Sequence, residues 1–191
     1  MINLLKQKNK NNSGFTLVET LVAISIFTIS ILALMSVLAK GMSDTNYAKQ
    51  QMTASYLAQE GIEYIRNMRD TSVLSNSGGA QAGWDAFHSG IISKCMNNNC
   101  YFNEDLISAQ MDSLISCPTS GTCPLLQYDP SVGKYGYNLS SGEVDSGFTR
   151  TISVDNTYGS DEIKIISKVE WTQGSGSHSV TFSENLYNWI Q

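Results

Sequence analysis

Histidine, proline and basic charge are all scarce in this chain, and each shortage removes a class of function. His88 and His178 are the only histidines, which leaves little from which to build a histidine metal site or a general acid–base pair. No Gly-x-Ser-x-Gly elbow, glycine-rich phosphate loop or His-Glu-x-x-His helix occurs. The expectation is therefore a chain with no catalytic residues, no enzymatic activity and no cofactor. Proline is limited to Pro118, Pro124 and Pro130, so nothing before residue 118 forces a helix to break. Lysine and arginine total 12 against 17 aspartates and glutamates, a net charge of −5. Three of those lysines, Lys6, Lys8 and Lys10, fall in the first ten residues; without them nine basic residues face 17 acidic ones, a balance of −8. Such a surface repels phosphate backbones, and direct nucleic-acid binding is not expected.

What the chain does have is one long apolar run. Residues 1–13 (MINLLKQKNKNNS) are polar and basic, Gly14 follows, and residues 15–39 (FTLVETLVAISIFTISILALMSVLA) contain a single ionisable side chain, Glu19. As a helix this run is about 37 Å long at ~1.5 Å per residue, enough to cross a hydrocarbon core of ~30 Å. Lysines ahead of it predict a cytoplasmic N-terminus and an extracytoplasmic remainder. A secretory signal has a shorter apolar core and a small-residue cleavage site after it, neither of which is present. A plain signal anchor fits the length but leaves Glu19 unexplained, because a carboxylate in a membrane helix costs ~3 kcal/mol and is functional by default.

The segment SGFTLVETLVAISIF, residues 13–27, resembles the class III signal of type IV prepilins and type II secretion pseudopilins. The resemblance implies a leader, residues 1–14, removed by a prepilin peptidase between Gly14 and Phe15, with N-methylation of the new Phe15 amine. Glu19 then becomes the fifth residue of the mature chain, where the family carries a glutamate. A buried charge is tolerable when paired, and the Phe15 amine of a neighbouring subunit is a cation at the same membrane depth. That pairing would make Glu19 an assembly residue that sets the axial register between helices. The partners implied are other pilin or pseudopilin subunits in a helix bundle, the peptidase and the membrane. The implied location is the cytoplasmic membrane, single-pass, then an extracellular pilus or pseudopilus. Many major pilins carry a proline about twenty residues into the mature helix; none stands here, and FTLVETLVAISIF resembles the minor subunits. The tip-most subunit of the family lacks the glutamate that this chain has. The implied function is a structural minor subunit, with a filament-displayed binding module that uses the cysteine-clipped insertion as the alternative and a membrane-anchored enzyme as the least favoured reading.

Residues 40–70 continue as an amphipathic helix. Apolar or small residues recur at Met42, Thr45, Ala48, Met52, Tyr56, Leu57, Ile62, Ile65 and Met68, close to a 3.6 period, and read as core. Gly41 and Gly61 mark places where the helix flexes or another backbone approaches. Residues 71–191 read as the head. Its first part, 71–134, looks loop-rich, with a short helix near 103–115 and a cysteine-containing insertion at 95–123. From about residue 134 the period becomes two: 135–139, 148–154, 163–172 and 179–186 read as strands, with Ile163, Ile165, Ser167, Val169 and Trp171 on one face. Trp171, Phe182, Tyr187 and Trp189 are expected in the core, His88 packs beside Trp84 and Phe87, and His178 lies in a solvated turn. Four strands after a long helix define an α+β fold, a long N-terminal helix packed on a small antiparallel sheet; the resemblance implies the same.

Cys95, Cys100, Cys117 and Cys123 permit three disulfide pairings. Local bridges Cys95–Cys100 and Cys117–Cys123 are favoured, since each closes a small loop in an oxidising compartment. A four-thiolate zinc site is the alternative, and the wider second spacing speaks against it. Asp129, Asp145, Asp155 and Asp161 sit in expected loops, but no run has the calcium-loop pattern, so no metal is assigned.

Overall fold

Without proline, and with its glycines isolated from one another, the stretch after residue 15 has nothing to stop a helix before the Gly78-Gly79 pair. The computed structural model, which describes residues 14–103, 111–118, 122–137, 142–155 and 159–188, shows one helix there, α1 (Leu17–Ser75). The chain divides into two compact units, one ending at Asn46 and the other beginning at Tyr47. The second unit therefore includes the C-terminal part of α1.

In this second unit α1 buries Ala54, Leu57, Ala58, Gly61, Ile62, Ile65, Met68 and Val73. The apolar series expected to face the core thus splits onto two faces. Its later members, Leu57, Ile62, Ile65 and Met68, are buried, whereas Met52 and Tyr56 are more than 60% exposed. The alanines at 54 and 58, weak signals in the sequence, mark the buried face because a helix can lie closer to a sheet over small side chains. At Gly61 the approach is closest: an added Cβ would fall 2.4 Å from Ser167 Oγ.

Among the described residues seven strands follow, three more than expected. They are β1 (Cys100–Phe102), β2 (Leu114–Ser116), β3 (Leu125–Asp129), β4 (Lys134–Gly136), β5 (Val144–Asp155), β6 (Glu162–Gln173) and β7 (Gly176–Tyr187), and every pairing is antiparallel. The long strands run β5–β6–β7. The other edge of β5 is shared end to end by β3, which carries β4, and by β1, which carries β2. The β6–β7 hairpin turns on Gly174 and Ser175, with Gly174 at φ +60°, the residue type a two-residue hairpin turn demands there. On β6 the alternation holds as read: Ile163, Ile165, Ser167, Val169 and Trp171 are all buried.

The region 71–134 is more ordered than its loop-rich composition suggests. A second helix, α2 (Ala80–Cys95), buries Trp84, Phe87, Ile91 and Cys95 at steps of three and four. It folds back on the end of α1, where Gly83 approaches so closely that a Cβ would lie 2.3 Å from the Ser72 carbonyl oxygen. The Ser72 hydroxyl donates to the Gly83 carbonyl at 2.8 Å, and the Trp84 indole N–H donates to the Ser160 carbonyl at 2.7 Å. Of the short helix expected at 103–115, residues 104–110 lie outside the described residues. Met111–Ser113 forms one 3-10 turn and Leu114–Ser116 is strand β2. The strand expected at 135–139 is Lys134–Gly136, and positions 138–139 and Trp189 also lie outside the described residues. Tyr187 is 52% exposed rather than core. His178 is a strand residue opposite Trp171, its ring centroid 5.5 Å from that indole and 5.0 Å from Tyr47.

Both disulfides are local, Cys95–Cys100 and Cys117–Cys123, each with a Cα separation of 4.8 Å. All four cysteines are buried, and Cys100 is the first residue of β1. The described parts of the 95–123 segment, strands β1 and β2 and the four cysteines, are therefore built into the head and its sheet.

Candidate processing and assembly segment

Gly14, Phe15 and Thr16 precede the first turn of α1 and are not helical. Phe15 is 74% exposed. Thr16 is the N-cap: its carbonyl accepts the Thr20 N–H at 3.2 Å and its Oγ1 accepts the Glu19 N–H at 3.3 Å. Thr16-x-x-Glu19 is thus a capping-box sequence, which the apolar text around it conceals. Glu19 occupies the first turn, where the helix dipole favours negative charge. Its carboxylate makes no ion pair among the described residues.

From Thr20 to Ala39, α1 exposes apolar side chains on every face. Leu17, Ile24, Phe27, Ile29, Leu32 and Val37 are each more than 60% exposed. The helix contains a window of 18 residues with mean hydropathy 2.6, none of it buried. A helix hydrophobic all round is stable only inside lipid or inside a bundle. The polar side chains are consistent with either setting. Thr20, Ser25, Thr28 and Ser30 donate to the carbonyls of Leu17, Leu21, Ser25 and Ile26 at 2.7–2.9 Å. The first charges after the run are Lys40 and Asp44, paired at 3.8 Å.

The second unit has its own charged centre. Arg150 on β5 is fully buried, donates to Glu60 Oε2 at 2.7 Å, and stacks its guanidinium 3.9 Å from the Phe102 ring centroid. The sequence held a signal for it: in FTRTISV, Arg150 shares the core phase with Phe148, Ile152 and Val154. Glu60 also lines an open cleft of about 600 Å³ with Thr53, Tyr56, Leu57, Lys134 and Tyr135. Burial, and then the neighbouring Tyr128, push the Tyr135 phenol above its ordinary range, against a hydrogen bond with Thr53 that lowers it. Arg66 bridges Glu63 and Glu184, and its hydrogen bond with Glu184 raises its pKa further.

Two of the four aspartates considered for calcium, Asp129 and Asp145, brace turns with their side chains, and Asp155 ends strand β5. Asp129 Oδ1 accepts the Ser131 hydroxyl and backbone N–H at 2.6 and 2.8 Å, and these bonds hold its carboxyl below the usual range. Asp145 Oδ1 accepts the Gly147 N–H at 2.8 Å. Among the described residues no three histidine, cysteine or acidic side chains converge as a metal site.

The fold is α+β and pilin-like, a long N-terminal helix and a small antiparallel sheet. Residues 9–35 match the family model of the prokaryotic N-terminal methylation motif. That match takes in Gly14, Phe15, Thr16 and Glu19, and it supports a class III signal of the type IV pilin or pseudopilin kind. No curated protein and no solved structure matches the chain.

Proposed function

We propose that this chain is a non-enzymatic structural subunit, of the minor pilin or minor pseudopilin type, in a type IV pilus-like filament. It is held in the cytoplasmic membrane by the apolar part of α1, with the head outside, until a prepilin peptidase cuts between Gly14 and Phe15. The mature helix then enters a filament bundle, with Glu19 neutralised by the Phe15 amine of a neighbour. One observation carries this reading. Within the segment that matches the N-terminal methylation motif, Glu19 is the one ionisable side chain of the apolar run 15–39 and has no ion-pair partner among the described residues. No proline lies in that helix, which supports the minor role.

The test is the intact mass of the protein from a host that has the peptidase. The expected chain begins at N-methylated Phe15; one that retains residues 1–14 would refute the reading. Display of a cysteine-clipped binding insertion draws less support, because both bridges and strand β1 belong to the core of the head.

A further inference from the structure

We infer that Thr16 is a positioning residue for processing: its side chain fixes the start of α1 and thereby keeps the scissile Gly14 carbonyl out of the helix. The inference rests on the processing reading above and concerns a residue to which that reading gives no role.

A helix start leaves the first few N–H groups without partners, and in an apolar setting each unpaired group is costly. Thr16 Oγ1 supplies a partner for the Glu19 N–H at 3.3 Å. Without that oxygen, the Glu19 N–H finds its next acceptor by extending the helix one residue back, to the Phe15 carbonyl. The following step of the same extension engages the Val18 N–H with the Gly14 carbonyl. That carbonyl belongs to the bond to be cut. Hydrolysis adds water across the Gly14–Phe15 amide, breaks the C–N bond, and leaves a carboxylate on Gly14 and an ammonium group on Phe15. A carbonyl accepting a helical hydrogen bond is held in helical geometry and shielded along its edge. In the structure Gly14, Phe15 and Thr16 are non-helical, and α1 begins at Leu17, immediately after the cap. Glycine at 14 adds to the barrier, since it is the poorest helix former after proline.

The experiment compares wild type, Thr16→Ser and Thr16→Val as full-length chains in detergent micelles with a prepilin peptidase. Valine keeps the shape of threonine without the acceptor; serine keeps the acceptor. Cleavage is followed by mass, and the backbone carbon shifts of Gly14 and Phe15 are read by NMR before enzyme is added. Thr16→Val is expected to slow cleavage about fivefold, the factor that an N-cap of ordinary strength represents, and to move both shifts toward helical values. Thr16→Ser should stay within about twofold of wild type, since serine caps as well as threonine. Equal cleavage of the valine and serine variants would overturn the inference. So would slowed cleavage of Thr16→Val with unchanged Gly14 shifts, which would mean that the enzyme reads the side chain directly. If wild type is left uncut, the processing reading fails, while the shifts still decide whether Thr16 sets the helix start.

Discussion

A methyl group on Gly61 would sit 2.4 Å from Ser167 Oγ, 3.0 Å from Ile152 Cδ1 and 3.2 Å from Ser167 Cβ. In an exposed helix, glycine to alanine is favourable by about 1 kcal/mol. Here the sign should reverse. Ser167 lies mid-strand in β6, fully buried and flanked by paired strands on both sides, so it cannot retreat. Overpacking of this kind costs about 1–3 kcal/mol, and after the gain in helix propensity the net loss is up to about 2 kcal/mol. At about 2–4 °C per kcal/mol for a chain of this size, the midpoint of thermal unfolding falls by several degrees. Full-length protein in mild detergent, followed by tryptophan fluorescence, provides the assay, with the buried Trp84 and Trp171 as reporters. The control is the same change in a Ser167→Gly background, where both Ser167 atoms are gone and only the side-chain end of Ile152 has to give; there alanine at 61 should be neutral or stabilise by up to about 1 kcal/mol. A Gly61→Ala single variant that unfolds at or above the wild-type temperature would refute this account of how α1 is seated.

Removing Glu60 as alanine leaves the buried Arg150 cation without its carboxylate and should destabilise by about 3 kcal/mol, the low end for a broken buried pair because Glu60 is itself half exposed. Arg150→Met should cost less, since the carboxylate left behind reaches water; the reverse order in thermal unfolding would count against the pair. Loss of either disulfide by paired cysteine-to-alanine changes should cost about 2 kcal/mol for loops this short, and alkylation without reduction should label no cysteine. Asp129 titrates below its unfolded value, so the stability it contributes is present above pH 4 and is lost as pH falls through the folded pKa. Asp129→Asn should flatten the unfolding midpoint between pH 5 and 2, and an unchanged pH profile would argue against the Ser131 bonds. Glu19→Ala should permit cleavage while impairing filament incorporation, read as the ratio of assembled to membrane-bound mature protein; normal incorporation would remove the register role.

Much of the fold could be read from residues in series. The apolar run, the absence of proline and the alternation on β6 were sufficient for α1 and the C-terminal hairpin. Helix α2 was missed: Trp84, Phe87, Ile91 and Cys95 carry a helical period, but the surrounding glycines and serines made the stretch read as loop. The unexpected strands are β1, β2 and β3: β1 and β2 have three residues each, too few to show any alternation, and β3 has five; β1 and β3 form on the free edge of β5, and β2 forms on β1. The two faces of α1 were mixed for a similar reason. Met52 and Tyr56 are more hydrophobic than Ala54 and Ala58, yet close approach to a sheet selects for small volume. At the N-terminus Gly14, Phe15 and Glu19 stood out by type and spacing. Thr16 did not, because one hydroxyl in an apolar run is conspicuous only once the helix start is known.

Four hydroxyl groups of the apolar helix, those of Thr20, Ser25, Thr28 and Ser30, are bonded to their own backbone. These bonds survive an exchange of one surrounding medium for another, because lipid chains and neighbouring helices present the same nonpolar environment to the helix. In the proposed passage from membrane to filament, the electrostatic change would then fall on one side chain, Glu19, and the transfer would turn on whether its countercharge arrives.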